Sequence, residues 1–369
     1  MSSFSASRRR FLGQISTAAA VALAPKMSHA VDRPANARKL GVALVGLGNY
    51  STNQLAPALR LTDSCKLTGV VTGDRAKGEK WARDHGFPET SVYSYGTMGR
   101  LADNSAIDIV YVVTPNALHA GHCIAAAQAG KHVICEKPMA GTVAECDAII
   151  AACKRAGVRL SVGYRVHFDP LHEELRRLAR TGEFGRFMKM NGTFAFRMSK
   201  AQWRAEKKLA GGGPLMDLGV YLIQESCMGA NEVSPVAVTA RELPKKHPEF
   251  FRDVEESIEW AMEFPHGERS DCYCSYNDRG DRFRAEAAGG WFEIGPAFGY
   301  RGLKAATNKG PVAVTPPASQ QAWQMDDFAR CVLTGRPSIV PGEMGRRDLV
   351  IIEAIYASAA KGRRVEVTV

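Results

Sequence analysis

The chain has 369 residues, 45% of them apolar and 23% charged, with a formal net charge of +10. That is the composition of a soluble globular protein of two domains, and it excludes a coiled coil, a collagen and wholesale disorder. The longest weakly polar stretch, residues 11–24, is shorter than the roughly 18–20 apolar residues a bilayer requires, so no membrane insertion is expected.

The N-terminus reads as an address. Ser7-Arg8-Arg9-Arg10-Phe11-Leu12 precedes the apolar run 15–23, and Ser28-His29-Ala30 offers small residues where a signal peptidase cuts. A charged start, an apolar middle and a small-residue end make residues 1–30 a signal peptide, and the paired arginines make it a twin-arginine signal. The expectation is a periplasmic protein that is exported folded. Residues 31–38 form a short polar arm.

Residues 40–45 are continuously apolar, as in a strand buried on both faces. Gly46-Leu47-Gly48 follows, and a helix is expected to residue 61. Strands are predicted at 67–71, 107–113, 132–135 and 159–162, and helices at 77–85, 119–129 and 143–156. This alternation means βαβ units and a parallel, doubly wound sheet over residues 39–163. The period changes after Gly163. A helix at 170–180 leads into alternating segments at 187–196, 236–243, 256–264, 270–276, 282–287 and 291–294, with a helix at 215–228 between them. Residues 164–369 therefore read as an α+β domain with a large open, mainly antiparallel sheet. Two amphipathic helices close the chain, 322–333 and 344–360, and the second is long enough to return to the first domain.

The charges outside the signal alternate in sign, with no basic stripe of the kind nucleic acid requires. The nine cysteines lack zinc-ligand spacing and read as small core hydrophobes. No metal site is expected.

Chemistry collects at the ends of the predicted strands. Gly46 permits the tight turn of a dinucleotide fingerprint, and Gly48 lets the backbone approach a pyrophosphate. The third position of that motif holds Ser51 rather than glycine. The helix N-terminus after Tyr50 would then face the phosphates. The second strand ends Val71-Thr72-Gly73, with Asp74 displaced by one place and Arg75 and Lys77 following. A hydroxyl and two cations suit a 2′-phosphate, hence NADP rather than NAD. The alternative is that Arg75 and Lys77 are solvated residues of a helix's first turn. Thr114-Pro115-Asn116 and Glu136-Lys137-Pro138 end two further strands on the ligand side. Lys137 there can polarise a substrate oxygen or serve as one half of a surface ion pair.

The segments Gly46-Leu47-Gly48-Asn49-Tyr50, Pro115-Asn116-Ala117-Leu118-His119 and Gly130-Lys131-His132-Val133-Ile134-Cys135-Glu136-Lys137-Pro138 resemble the Gfo/Idh/MocA oxidoreductases. Gly211-Gly212-Gly213-Pro214-Leu215-Met216-Asp217-Leu218-Gly219-Val220-Tyr221 extends the likeness into the second half. Most of that family carry histidine where Tyr221 stands. Tyrosine there, with Gly163-Tyr164-Arg165-Val166-His167-Phe168-Asp169 and Trp203-Arg204, is similar to the periplasmic glucose–fructose oxidoreductases and their aldose–aldose relatives.

The resemblance implies a Rossmann domain, an open-sheet domain and a tightly bound NADP cycled by two sugars. One aldose is oxidised at C1 to an aldonolactone, and a second sugar is reduced to a polyol. Lys137, Asp217 and Tyr221 match the family's catalytic residues. Gly48, Asn49 and Tyr50 match phosphate-binding positions, and Thr72 and Lys77 the 2′-phosphate positions. Pro115, Asn116, His119, Glu136, Tyr164, Arg165, Trp203, Arg204 and Tyr300 match residues lining the cofactor. Glucose–fructose oxidoreductases have a long Pro-rich arm that wraps neighbours into a tetramer; here only about ten residues separate the expected cleavage site from the first strand, so a homodimer through the open sheet is expected instead.

The residues by themselves agree. Removing a C1-hydroxyl proton needs a base, and a lysine cation beside a tyrosine favours its phenolate. Asp217 and Tyr221 are four apart, on one face of a helix, and Gly211-Gly212-Gly213 is expected to let that helix start close to a ligand. The competing functions are an exported NAD(P)-dependent glycosidase and a non-catalytic sugar or nucleotide-binding protein of the same fold.

Overall fold

Six short apolar runs build the first sheet: β1 (Leu40–Val45), β2 (Cys65–Val71), β3 (Val92–Tyr93), β4 (Ile109–Val112), β5 (His132–Cys135) and β6 (Leu160–Val162). The structure is a computed structural model and describes residues 38–369; the expected signal peptide and residues 31–37 of the arm lie outside the described residues. The strands are all parallel, in the order β3-β2-β1-β4-β5-β6. Strand order reverses between β1 and β4, which opens a ligand crevice at their carboxyl ends. Every residue of β1 and β4 is buried, so neither alternates in polarity.

The intervening helices are α1 (Ala56–Leu59), α2 (Arg75–His85), α3 (His119–Gln128) and α4 (Val143–Arg155). Asp74 caps α2 by accepting from Lys77 N, and Gly86 ends it at φ +75°. The long helix expected before residue 61 is not regular. Residues Ser51–Leu55 widen into a π-helical turn, and only Ala56–Leu59 is α-helical. Pro57 lacks the N–H that would return to Asn53, so the α ladder cannot run through this stretch.

The second half adds α5 (Pro170–Thr181), β7 (Lys189–Ala195), α6 (Lys207–Ala210), α7 (Val220–Gly229), β8 (Ala237–Glu242), β9 (Ser257–Glu263), β10 (Arg269–Ser275), β11 (Gly280–Ala287), β12 (Gly290–Ile294), β13 (Ala305–Thr307) and β14 (Gly310–Pro311). After them come α8 (Gln320–Thr334), α9 (Gly342–Lys361) and β15 (Val365–Glu366). The nine strands lie in the order β14-β13-β12-β11-β7-β10-β9-β8-β15. The sheet is antiparallel except at its centre, where β7 and β10 run parallel. Alternation sorts its faces: Ser270, Cys272 and Cys274 of β10 are buried, whereas Asp271 and Tyr273 face outward.

The last two helices both pack on the first sheet's domain. Ala322, Met325, Phe328, Ala329 and Cys331 of α8 share a core with Val42, Leu44, Tyr111 and Ile134. A parallel sheet has two apolar faces to cover, and the short α1 leaves room on this one for α8. Asp326 fastens α8 there by accepting from Asp63 N at 3.0 Å and Ser64 N at 2.8 Å. Helix α9 bridges to α4 through Arg346 Nε and Asp147 Oδ1 at 2.6 Å, and to β8 through Ala240 N and Ser358 Oγ at 2.9 Å. Asp326→Ala leaves two backbone donors without their acceptor, one of them buried. It should lower unfolding free energy by about 2 kcal/mol, measured by urea titration. An unchanged midpoint would show that Asp326 does not fasten the helix.

Candidate active site

The crevice begins at the turn after β1. Gly46 sits at φ +95°, and a Cβ on it would meet Val113 O at 3.0 Å and Thr114 Cγ2 at 3.1 Å. Gly48 has nothing within 4 Å of that position, so its backbone is open to a ligand. Ser51, in the place of the third glycine, is buried and donates its hydroxyl to Gly46 O at 2.6 Å. It ties the turn shut from inside. Asn49 is exposed beside the turn and accepts from Asn53 Nδ2.

The expected 2′-phosphate residues divide. Lys77 Nζ reaches back across the turn to Leu47 O, and Thr72 Oγ1 accepts from Asp74 N at 3.2 Å. Arg75 is drawn the other way, to Glu79 Oε1 at 2.7 Å and Val92 O at 3.0 Å. Gly73 lies against the ring of Tyr95, 3.4 Å from where its Cβ would be.

At the end of β4, Thr114, Pro115, Asn116 and His119 form a braced corner. The two ring nitrogens of His119 lie 2.7 Å from Thr114 O and 2.9 Å from Pro138 O. Burial pushes this imidazole down to about 4 against the pull of both carbonyls. Asn116 Nδ2 donates to Ala210 O at 2.8 Å. Asn116 and His119 thus bind backbone and hold strand ends in position.

Lys137 follows β5, and Asp217 lies in a π-helical turn, Leu215–Gly219, ahead of α7. Lys137 Nζ donates to Asp217 O at 2.7 Å and to Asp217 Oδ1 at 3.0 Å. Asp217 Oδ2 accepts from Arg204 Nε at 3.0 Å and from Tyr276 Oη at 3.1 Å. Burial opposes the charge on Asp217, but Lys137 and then Arg204 outweigh it and hold the carboxyl well below its usual range. Burial likewise opposes the charge on Lys137, and Asp217 outweighs it and raises the ammonium. Arg204 also lies over the Trp203 ring, 4.6 Å from its centroid.

Tyr221 is 7% exposed, with Lys137 Nζ 4.8 Å from its ring centroid. Its hydroxyl accepts from Arg165 Nε at 3.2 Å. The Arg165 guanidinium lies 5.0 Å from the Tyr221 ring and 4.5 Å from the Tyr300 ring. Tyr300 is largely exposed, and the Tyr50 ring is 6.1 Å away. These residues face the same crevice as the phosphate turn.

Three expectations change. Tyr164 was expected to line the cofactor; its hydroxyl instead donates to Asp348 of α9, inside the core. Glu136 turns its carboxyl from the lysine head toward Tyr111, whose hydroxyl donates at 2.6 Å, and burial raises its pKa. At Gly212 and Gly213 the glycines make room for protein groups. A Cβ on Gly212 would stand 2.0 Å from Tyr356 Oη, and one on Gly213 2.2 Å from Glu255 O. Glu255 then accepts from Gly213 N and Leu215 N, both at 3.0 Å, and holds the start of the segment that carries Asp217 and Tyr221. Sequence reading missed Tyr276, Glu255 and Gln320. Each looks like any other residue of a strand, loop or helix start, and no local signal distinguishes it.

Among the described residues no cluster of three His, Cys, Asp or Glu could hold a metal ion. No described helix is long and apolar enough to cross a membrane.

Comparison with known proteins matches residues 40–164 to the oxidoreductase family of NAD-binding Rossmann fold named Gfo/Idh/MocA, and residues 172–293 to the C-terminal domain of the same family. The chain is similar to the crystal structure of aldose–aldose oxidoreductase from Caulobacter crescentus, complexed with glycerol. Identity is 41% and the TM-score 0.86, over 89% of this chain and 100% of that one. It is 29% identical over 328 residues to the NADP(+) D-xylose 1-dehydrogenase of Haloarcula marismortui, covering 86% of this chain and 90% of the relative. To the second NADP(+) D-xylose 1-dehydrogenase of Haloferax volcanii it is 28% identical over 334 residues, covering 88% and 98%. The chain belongs to the Gfo/Idh/MocA oxidoreductase family, and its first half carries that family's NAD-binding Rossmann fold.

Proposed function

We propose that the protein is a periplasmic aldose oxidoreductase with a tightly bound NADP, which oxidises one aldose at C1 and passes the hydride to a second sugar. The carrying observation is the convergence of Lys137, Asp217 and Tyr221, with Arg165 on the Tyr221 hydroxyl, in the crevice that starts at Gly46. The likeness to the Caulobacter aldose–aldose oxidoreductase supports the substrate class. A binding-only protein would have no use for a tyrosine whose hydroxyl meets one cation and whose ring meets another.

The residues fit the cofactor. Open backbone at Gly48 and the helix start after Tyr50 would take the pyrophosphate. Thr72 and Lys77 would take a 2′-phosphate. Asp74, the acid that could oppose that phosphate, is occupied as the cap of α2. When bound, NADP would supply the hydride acceptor for the first half-reaction and the hydride donor for the second. The protein's part is proton chemistry and orientation. Tyr221 Oη takes the C1-hydroxyl proton in the first half and gives it back in the second. Lys137, held at a fixed height by Asp217, donates toward the sugar oxygen.

A homodimer through the outer face of the nine-stranded sheet completes the proposal; that face carries pairs such as Arg241 with Glu259. The twin-arginine segment supports export. Unchanged periplasmic yield in a strain without the twin-arginine translocase would refute that address.

Protein purified without added nucleotide should carry NADP. Lys77→Ala should weaken NADP retention at least tenfold more than NAD binding, by calorimetry. Equal losses would overturn the 2′-phosphate assignment. Tyr221→Phe should keep its cofactor but slow both half-reactions by roughly 10²–10⁴-fold. Stopped-flow absorbance at the reduced-nicotinamide band, with aldose alone and then a second sugar, measures each half. Turnover that requires added NADP and releases NADPH would instead make this a conventional dehydrogenase.

A further inference from the structure

Two cations face Tyr221, and their charge balance differs. Lys137 has a carboxylate partner, since Asp217 accepts from it through carboxylate and carbonyl, although Arg204 shares that carboxylate. Arg165 is bonded to no carboxylate. Its NH2 donates to Phe298 O, its NH1 to Gly299 O at 3.2 Å and Gln320 Oε1 at 2.6 Å, and its Nε to Tyr221 Oη at 3.2 Å. Every acceptor is neutral, yet the residue is 2% exposed. The next carboxylate outward, Asp169, is kept one step away by Gln320, whose Nε2 donates to it at 2.8 Å.

Around Tyr221 stand Lys137, Arg165, Asp217, Glu136, Tyr50 and Tyr300. Counting Arg204, three cations meet two carboxylates, Asp217 and Glu136. The pocket therefore holds a surplus of positive charge, and the unmatched cation points at the Tyr221 oxygen. A buried cation without a counter-ion is costly, and an anion on that oxygen relieves the cost.

We propose that Arg165, rather than Lys137, stabilises the phenolate form from which Tyr221 takes the C1-hydroxyl proton, with Gln320 keeping its charge unmatched. In that step the C1 hydroxyl gives its proton to Tyr221 Oη, C1 gives its hydride to the oxidised cofactor, and a carbonyl forms at C1. Arg165 acts through Tyr221 and is a positioning residue. Lys137 is left to the sugar oxygen. The inference deepens the aldose-oxidising reading above and rests on it.

The test is single-turnover reduction of bound cofactor by aldose as a function of pH. Wild type should show a rate that rises with pH and levels off. Arg165→Gln should be slower by roughly 100-fold at pH 7, with its rising limb moved up by about 1–2 pH units, so that the deficit shrinks at alkaline pH. Arg165→Lys should regain most of the rate. Gln320→Glu, made together with Asp169→Asn so that the new carboxylate does not face another at 2.8 Å, keeps the arginine but sets a carboxylate on its NH1, and should move the limb in the same direction; it serves even if Arg165→Gln fails to fold. Bound cofactor, measured by absorbance after denaturation, should match wild type in the Gln320 variant, and the rates of the Arg165 variants are read per bound cofactor. A deficit equal at every pH, or an unmoved limb in the Gln320 variant, overturns the inference while leaving sugar oxidation standing. If no aldose reduces the wild-type cofactor, the aldose-oxidising reading fails and this inference falls with it.

Discussion

The ion pair between Lys137 and Asp217 ties the two halves of the molecule at the point where chemistry is expected. Lys137 leaves the end of β5, and Asp217 enters the turn before α7. Both charges are mostly withdrawn from water, with side chains 12% and 18% exposed. Such a pair is favourable only when each partner's remaining hydrogen bonds are filled. Asp217 fills its own from Arg204, beside Trp203, and from Tyr276, just past β10. Four separate stretches of chain must therefore meet within hydrogen-bond range of one carboxylate. Misplacing any of them would strand a charge in the interior.

The scaffold behind the pair is backbone held by side chains. Glu255 grips the amides of Gly213 and Leu215, and Tyr356 donates to the same carboxylate at 2.9 Å. His119 braces the end of β4 against the loop after Lys137. Ser51 closes the phosphate turn. These groups fix the strand ends and turns that carry the expected site residues. A π-helical turn occurs at the start of both ligand-facing helices, Ser51–Leu55 and Leu215–Gly219. The extra residue per turn rotates the side chains that follow it relative to a regular helix.

Much of the fold was legible because a parallel sheet buries both faces. The runs in β1, β4 and β5 have no polar alternation, and glycines mark the exits of the helices between them. Outward and inward faces of the second sheet were likewise visible as a period of two. The coverage of the first sheet by α8 was not. That helix follows almost the whole second sheet, and its amphipathic pattern says that it packs, not against what. The glycine triplet was legible as a close approach, yet the approaching groups are Tyr356 and Glu255 rather than a ligand. Backbone crowding looks the same in sequence whichever atom causes it.

By itself the sequence determined the element types, the dinucleotide turn at Gly46 and Gly48, the strand-end Lys137 and the helical spacing of Asp217 and Tyr221. These follow from local periodicity and from conformations that few residues can adopt. Tertiary structure alone decided which cation belongs to which anion. Lys137, Arg165 and Arg204 are equivalent as letters, each a positive charge near an expected cleft. Only the folded chain pairs Lys137 and Arg204 with one carboxylate and surrounds Arg165 with neutral carbonyls, an amide and a phenol. Coulombic interaction depends on distance and on what else is near, and neither quantity is written along the chain.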